Sequence, residues 1–173
     1  MGSFKRALAM ASAVAVVSAG MVSTGAAVAQ DEMMDREFVD GECFVGVSWN
    51  NFQQPRWAAT DRPNMQSHII DNGGDFLDFD ANLDNLQQDT DIETLINRGA
   101  DVLVLLAQDT NAIVPSLQKA KDAGIPVIAY DRLIEDPNVL YITFDNVGVG
   151  KAEADAIIGA VPSGNYVLIK GDP

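Results

Sequence analysis

Val102-Leu103-Val104-Leu105-Leu106 is an unbroken apolar run with no polar residue at any position. Such a run lacks the in-out alternation of a half-solvated strand. It marks a strand covered on both faces, as in a parallel sheet whose crossovers are helices. On its amino-terminal side, Ile92, Leu95 and Ile96 share one helical face and Gly99 supplies a stop. On its carboxy-terminal side, Ile113, Leu117 and Ala120 recur at helical spacing, and Gly124 closes that helix. A second apolar strand, Pro126-Val127-Ile128-Ala129, follows at once and ends in Tyr130-Asp131-Arg132.

The same unit extends outward in both directions. Cys43-Phe44-Val45-Gly46-Val47 reads as the first strand, with Cys43 as a small buried residue at its start. Pro55 suits the first turn of a helix in which Ala58, Met65 and Ile69 repeat until Gly73-Gly74. Pro63 should kink that helix or divide it, because proline has no N–H to donate and its ring clashes with the preceding turn. Phe76-Leu77-Asp78-Phe79 is the next strand. Beyond Arg132, Leu140-Tyr141-Ile142-Thr143-Phe144 forms a strand, and Asp145-Asn146 caps a helix carrying Ala154, Ile157, Ile158 and Val161. Tyr166 to Ile169 reads as a last strand. Strands alternating with helices through short loops give an α/β fold with a doubly wound parallel sheet and right-handed crossovers.

The amino terminus follows a different logic. Lys5 and Arg6 precede an uncharged small and apolar run, and Ala27-Val28-Ala29 matches a cleavage pattern, so residues 1–29 read as a secretory signal peptide. A membrane anchor would need roughly 20 apolar residues, and Gly20, Ser23, Thr24 and Gly25 interrupt the run first. Residues 30–42 are acidic and aperiodic, a disordered leader. With Lys5 and Arg6 removed from the 11 basic residues and all 25 acids retained, the exported chain has a net charge of −16. That charge repels phosphate backbones, excludes nucleic acid as a partner and favours a soluble monomer. A single cysteine leaves no intrachain disulfide to form.

Ligands of doubly wound sheets bind outside the carboxyl ends of the strands, where the strand order reverses. With the common order 2-1-3-4-5, the loops after strands one, three and four meet there. Asn50, Asn51, Phe52, Arg56 and Trp57 would then face Gln108, Asp109, Asp131 and Arg132. These residue types suit a carbohydrate. Arginine donates in a planar fork, aspartate accepts, asparagine does both, and an aromatic ring covers the apolar face of a sugar.

Sharper motifs fail on their own terms. Asp78-x-Asp80-x-Asn82-x-Asp84 begins like a calcium loop, but Leu83 stands where the turn needs glycine and Asp89 where glutamate is expected. Val147-Gly-Val-Gly-Lys151 lacks the first glycine and the hydroxyl residue of a phosphate loop. One histidine, His68, cannot build a zinc site, and no Ser-His-Asp or Cys-His arrangement is present. The residues therefore describe a binder with no cofactor or metal, not an enzyme.

From Phe44 to Asp172 the chain resembles the periplasmic solute-binding proteins of the ribose, galactose and xylose type. The segment from Ile92 through Val104 is shared across that superfamily. Arg56-Trp57, Tyr130-Asp131-Arg132, Phe144-Asp145-Asn146 and Gly164-Asn165-Tyr166 together point to its xylose branch, in which an acidic pair stands where Asn50-Asn51 stand here. The resemblance implies a two-lobed receptor that closes on a monosaccharide, D-xylose or a related aldose, and presents it to an inner-membrane ATP-binding cassette permease. Arg56, Asp131 and Arg132 would hydrogen-bond the sugar and Trp57 would stack on it. Residues 43–144 would form the first lobe, and residues 145–173 the hinge and the start of a second. The resemblance thus implies a fragment, with half of the ligand contacts and weak binding on its own. The same architecture also serves ligand sensors that feed a chemoreceptor or sensor kinase.

Overall fold

The structure, a computed structural model, describes residues 43–169. The expected signal peptide, the leader and residues 170–173 lie outside the described residues. Among the described residues five strands are present: β1 (Phe44–Trp49), β2 (Asp75–Asp80), β3 (Val102–Leu105), β4 (Val127–Tyr130) and β5 (Val139–Ile142). All neighbouring pairs are parallel, in the order β2-β1-β3-β4-β5. Four α-helices connect or follow them: α1 (Arg62–Asp71), α2 (Asn85–Asn97), α3 (Val114–Asp122) and α4 (Asn146–Ala160). The doubly wound parallel sheet expected from the sequence is the observed one.

β1 is the central strand in burial, with all six residues shielded from solvent. Its side chains alternate between two covered faces. Gly46 and Ser48 face α2: a methyl at Gly46 would lie 3.0 Å from Leu95 of α2, and Ser48 Oγ accepts from Gln88 Nε2 at 3.3 Å. Trp49 looks the other way, toward α1, and donates its indole N–H to Asp78 of β2. Ile92, Leu95, Leu103 and Leu105 are fully shielded and form the core between the sheet and α2 and its neighbours, while Phe76, paired with Val45, is equally shielded on the other face. Each contributes about 1.5–3 kcal/mol of transfer free energy. Gly124 ends α3 in the left-handed region at φ +75°, a conformation glycine adopts without steric cost.

Pro63 is accommodated without a break. A π-helical segment, Trp57–Asp61, runs directly into α1, and its wide turn lies just ahead of Pro63 in the first turn of α1. The Arg62 N–H reaches back five residues to the Trp57 carbonyl, the bond that defines the wide turn.

Two expectations are corrected. Tyr166 to Ile169 form no strand, because no other strand among the described residues lies alongside to complete a ladder; Val167, Leu168 and Ile169 are exposed. Cys43 is exposed and lies just before β1, which begins one residue later at Phe44. α4 forms where expected, with Asp145 accepting from the Gly148 N–H at 2.9 Å, yet it buries no side chain. Its expected apolar face, Ile157, Ile158 and Val161, is more than half exposed.

Candidate functional site

Because the strands are parallel, their carboxyl ends share one edge, and the chain leaves β1, β3, β4 and β5 into the same neighbourhood. At its centre is Arg56. Its Nη1 donates to Asp131 Oδ1 at 2.9 Å, and its Nε lies 2.9 Å from Asp61 Oδ2. The guanidinium also sits over two aromatic rings, 4.2 Å from the Trp57 centroid and 4.7 Å from that of Phe144. Burial pushes the Arg56 guanidinium down, but the hydrogen bonds to Asp131 and Tyr130 and the charges of Asp61 and Asp131 outweigh it and hold it above its ordinary value.

Asp131 is presented by a backbone device. It follows β4 in the left-handed region, φ +64°, where aspartate is tolerated better than bulkier residues. Its N–H donates to the Ile142 carbonyl at 2.8 Å, and its own carbonyl accepts from Tyr141 Oη at 3.0 Å and Thr143 Oγ1 at 3.3 Å. β5 therefore fixes the turn that aims the carboxylate at Arg56. Arg132, next in sequence, donates from Nη1 to the carbonyls of Ala107 and Gln108, at 3.1 and 2.8 Å, and ties the loop after β3 to the end of β4.

Below this polar group lies an aromatic cluster. Trp49 is in ring contact with Phe52, Trp57 and Tyr130, at centroid separations of 6.0, 6.5 and 6.2 Å, and Trp57 meets Tyr130 edge-on at 6.4 Å. Tyr130 Oη donates to Asp61 Oδ2 at 3.0 Å; burial, then the bond to Asp61, push the Tyr130 hydroxyl above its usual value. Trp57 is only 4% exposed, and its Nε1–H has no acceptor among the described residues. A buried donor left unpaired costs about 1–3 kcal/mol, and a bound hydroxyl or water would remove that cost.

Arg56, Trp57, Asp131 and Arg132 thus converge at the edge where the sequence places them. Asn50 and Asn51 also lie there but are buried and shape the loop. Asn50 Oδ1 accepts from the Asn51 N–H at 2.8 Å, its Nδ2 reaches Gln108 Oε1 at 3.4 Å, and Asn51 Oδ1 accepts from the Gln54 N–H at 3.1 Å. Phe52 is half-buried, between Trp49 and Arg62. Asp109 is exposed and caps the turn ahead of α3 through the N–H groups of Asn111 and Ala112. Sequence reasoning missed Asp61 and Phe144 as parts of the site. Asp61 arrives through the π-helical segment, which has no sequence signature, and Phe144 had one only in its place directly before the capping Asp145.

What the edge offers chemically is a cation held between two carboxylates and flanked by rings, with the Arg56 side chain 37% and the Asp131 side chain 24% exposed. It can donate and accept hydrogen bonds while presenting an apolar face. A separate hollow of about 390 Å³ opens at the opposite end of β4 and β5, walled by Leu117, Ile125, Pro126, Val127 and Val139. Its polar lining is Lys121, already paired with Asp136, and Asn138, so it gathers no free cation between carboxylates, and volume alone does not mark the site.

Residues 45–173 match the model of the periplasmic binding protein domain. The chain is 36% identical over 133 residues to the D-xylose-binding periplasmic protein of Escherichia coli, covering 76% of this chain and 40% of that protein. Among solved structures it resembles an ABC transporter solute-binding protein from Clostridium phytofermentans with bound β-D-glucose, at TM-score 0.65 and 33% identity over 69% of this chain and 37% of the other. It also resembles the fructose-binding periplasmic domain of a hybrid two-component system, at TM-score 0.60 and 26% identity over 69% and 40%. The chain spans about two fifths of the length of these relatives. With its order β2-β1-β3-β4-β5 and its match over residues 45–173, the chain belongs to the periplasmic binding protein domain family.

Proposed function

We propose that this chain is the first lobe of an extracytoplasmic receptor for a monosaccharide, D-xylose or a related aldose, that delivers its ligand to an ATP-binding cassette permease. The observation that carries the reading is the Arg56–Asp131 pair at the carboxyl edge, with Trp57 and Phe144 on the guanidinium. A vicinal diol takes a donor and an acceptor from such a pair, and the ring faces cover its C–H surface. The similarity to the E. coli xylose-binding protein and to a glucose-bound transporter protein supports both the ligand class and the importer. Export by cleavage after Ala29, with residues 43–144 as the lobe and 145–173 as hinge and the start of a second lobe, completes the reading.

Arg56, Asp131 and Arg132 bind hydroxyls in this scheme, Trp57 supports the Arg56 guanidinium from its buried ring, and the exposed Phe144 ring offers the apolar face. Asn50 and Asn51 hold the loop, and Phe52 supports the cluster. In a two-lobed receptor this lobe supplies one half of the ligand contacts. Amide chemical-shift mapping of the chain with D-xylose, D-glucose and D-ribose tests this. Shifts centred on Arg56, Trp57, Asp131 and Arg132, and lost in Arg56→Ala, are the expected result. Shifts confined to another surface, or none with any sugar, would sink the proposal. A second reading, a sensor domain feeding a kinase, is favoured by the similarity to a two-component fructose-binding domain. Neighbouring genes decide between them: a permease and ATPase indicate import, a kinase indicates sensing.

A further inference from the structure

Beneath the aromatic cluster lies a charge that the sugar site does not touch. Asp78 on β2 is 1% exposed, and it accepts three hydrogen bonds. Trp49 Nε1 donates to its Oδ2 at 3.0 Å, Arg62 Nη2 to its Oδ1 at 2.9 Å, and Arg62 Nε to Oδ2. Such complete pairing offsets the cost of a carboxylate this deep. For the lobe's stability alone, apolar side chains of similar volume would serve as well.

The pairing reaches the site in few steps. Trp49 is fully buried and is the ring that touches Phe52, Trp57 and Tyr130. Trp57 carries the guanidinium of Arg56 on its face, and Tyr130 holds Asp61, the second carboxylate on Arg56. Arg62 starts α1 directly after Asp61 and its guanidinium lies 5.7 Å from the Phe52 ring. Asp78 is therefore bonded to the residue next to Asp61 and to the ring at the middle of the cluster.

We infer that Asp78 is a positioning residue: by fixing the Trp49 indole and the Arg62 guanidinium, it sets the orientation of Trp57, Tyr130 and Asp61 and through them of Arg56. The inference rests on the sugar-binding reading for its consequence but not for its geometry. It predicts that Asp78 governs ligand affinity from a position no ligand reaches.

The chain has two tryptophans, so a nitrogen-15 spectrum gives two indole N–H resonances, and the Arg56 Nε–H adds a third probe. Asp78→Asn keeps an oxygen for Trp49 and loses the ion pair. It is expected to move both indoles and the Arg56 Nε–H, and to raise the half-saturating D-xylose concentration about tenfold, equivalent to ~1.4 kcal/mol. Leu117→Ala, in α3 away from the cluster, destabilises the lobe by cavity formation and is expected to leave all three resonances in place. Movement of the Trp49 indole alone in Asp78→Asn, or the same three movements in Leu117→Ala, overturns the inference. If Asp78→Asn does not fold, Arg62→Gln preserves the Trp49 bond and is judged by the Trp57 and Arg56 resonances in the same way. If the unsubstituted chain shows no sugar-dependent shift at Arg56, the sugar-binding reading fails, while positioning is still decided by the three resonances without sugar.

Discussion

Replacing Gly46 by alanine puts a methyl where β1 and α2 approach most closely. An ideal Cβ there would stand 3.0 Å from Leu95 Cδ2, 3.1 Å from Leu103 Cδ2 and 3.2 Å from Leu95 Cβ. Carbon pairs are most favourable at about 3.5–4.0 Å, so the new methyl is about 0.3–0.5 Å too close to three atoms of two leucines. The Leu95 Cβ cannot swing away, because its position is fixed by the helix backbone. Overpacking of this kind costs about 1–3 kcal/mol, against a gain of roughly 0.5–1 kcal/mol from removing glycine's backbone freedom in a strand. The net expectation for Gly46→Ala is destabilisation by about 1–2 kcal/mol. Urea unfolding followed by far-UV circular dichroism should show a lower midpoint with an unchanged slope. The cause is tested by a cycle with Leu95→Ala, which alone costs about 2–5 kcal/mol by opening a cavity. In the double variant the Gly46 methyl occupies part of that cavity, so the two costs should fall short of their sum by about 1 kcal/mol. Full additivity, or a Gly46→Ala chain as stable as the original, would refute the close-approach argument.

Two further outcomes follow from buried and capping carboxylates. Asp91 in α2 is 3% exposed, and burial raises its pKa despite the hydrogen bond from Gln87, with Asp80 adding to the rise. A raised folded-state value means that the native chain holds its proton more tightly than the unfolded one, so stability falls as pH rises from the ordinary carboxylate value through the folded one. Asp91→Asn should therefore raise the Tm at pH 7, with the advantage closing below the ordinary carboxylate range; an equal effect at all pH values would exclude titration as the cause. Asp84 caps α2 by accepting from the N–H groups of Leu86 at 2.8 Å and Gln87 at 3.2 Å. Asp84→Ala should lower stability by about 1 kcal/mol while Asp84→Ser restores most of it, and thermal unfolding of the two variants gives the comparison.

The fold was legible because each strand-helix unit carries its own pattern. The uninterrupted run ending at Leu106 needs cover on both faces, and the glycines after each helix mark where the chain turns back. Arg56, Trp57, Asp131 and Arg132 were legible as a group once the strand order placed their loops on one edge. The partners of Arg56 were harder to see. Asp61 reaches it through a π-helical turn, and that turn depends on tertiary packing rather than on local propensity. Asp78 looked like the opening of a calcium loop because register is invisible in one dimension; the pairing Val47 to Asp78 puts it beside Trp49 instead. Tyr166 to Ile169 have strand composition, but composition does not supply a neighbour, and with none among the described residues the backbone forms no ladder there.

α4 has a consequence for hydrogen exchange. Its fifteen residues bury no side chain, and β5 before it is the outermost strand of the sheet. The amides of β1 and β3 can exchange only when the whole lobe opens, whereas those of α4 need only the helix itself to unwind. Among the described residues the lobe is thus two-tiered: a slowly exchanging sheet that carries Asp78 and presents Arg56 and Asp131, and a faster-exchanging helix α4 that buries no side chain against it.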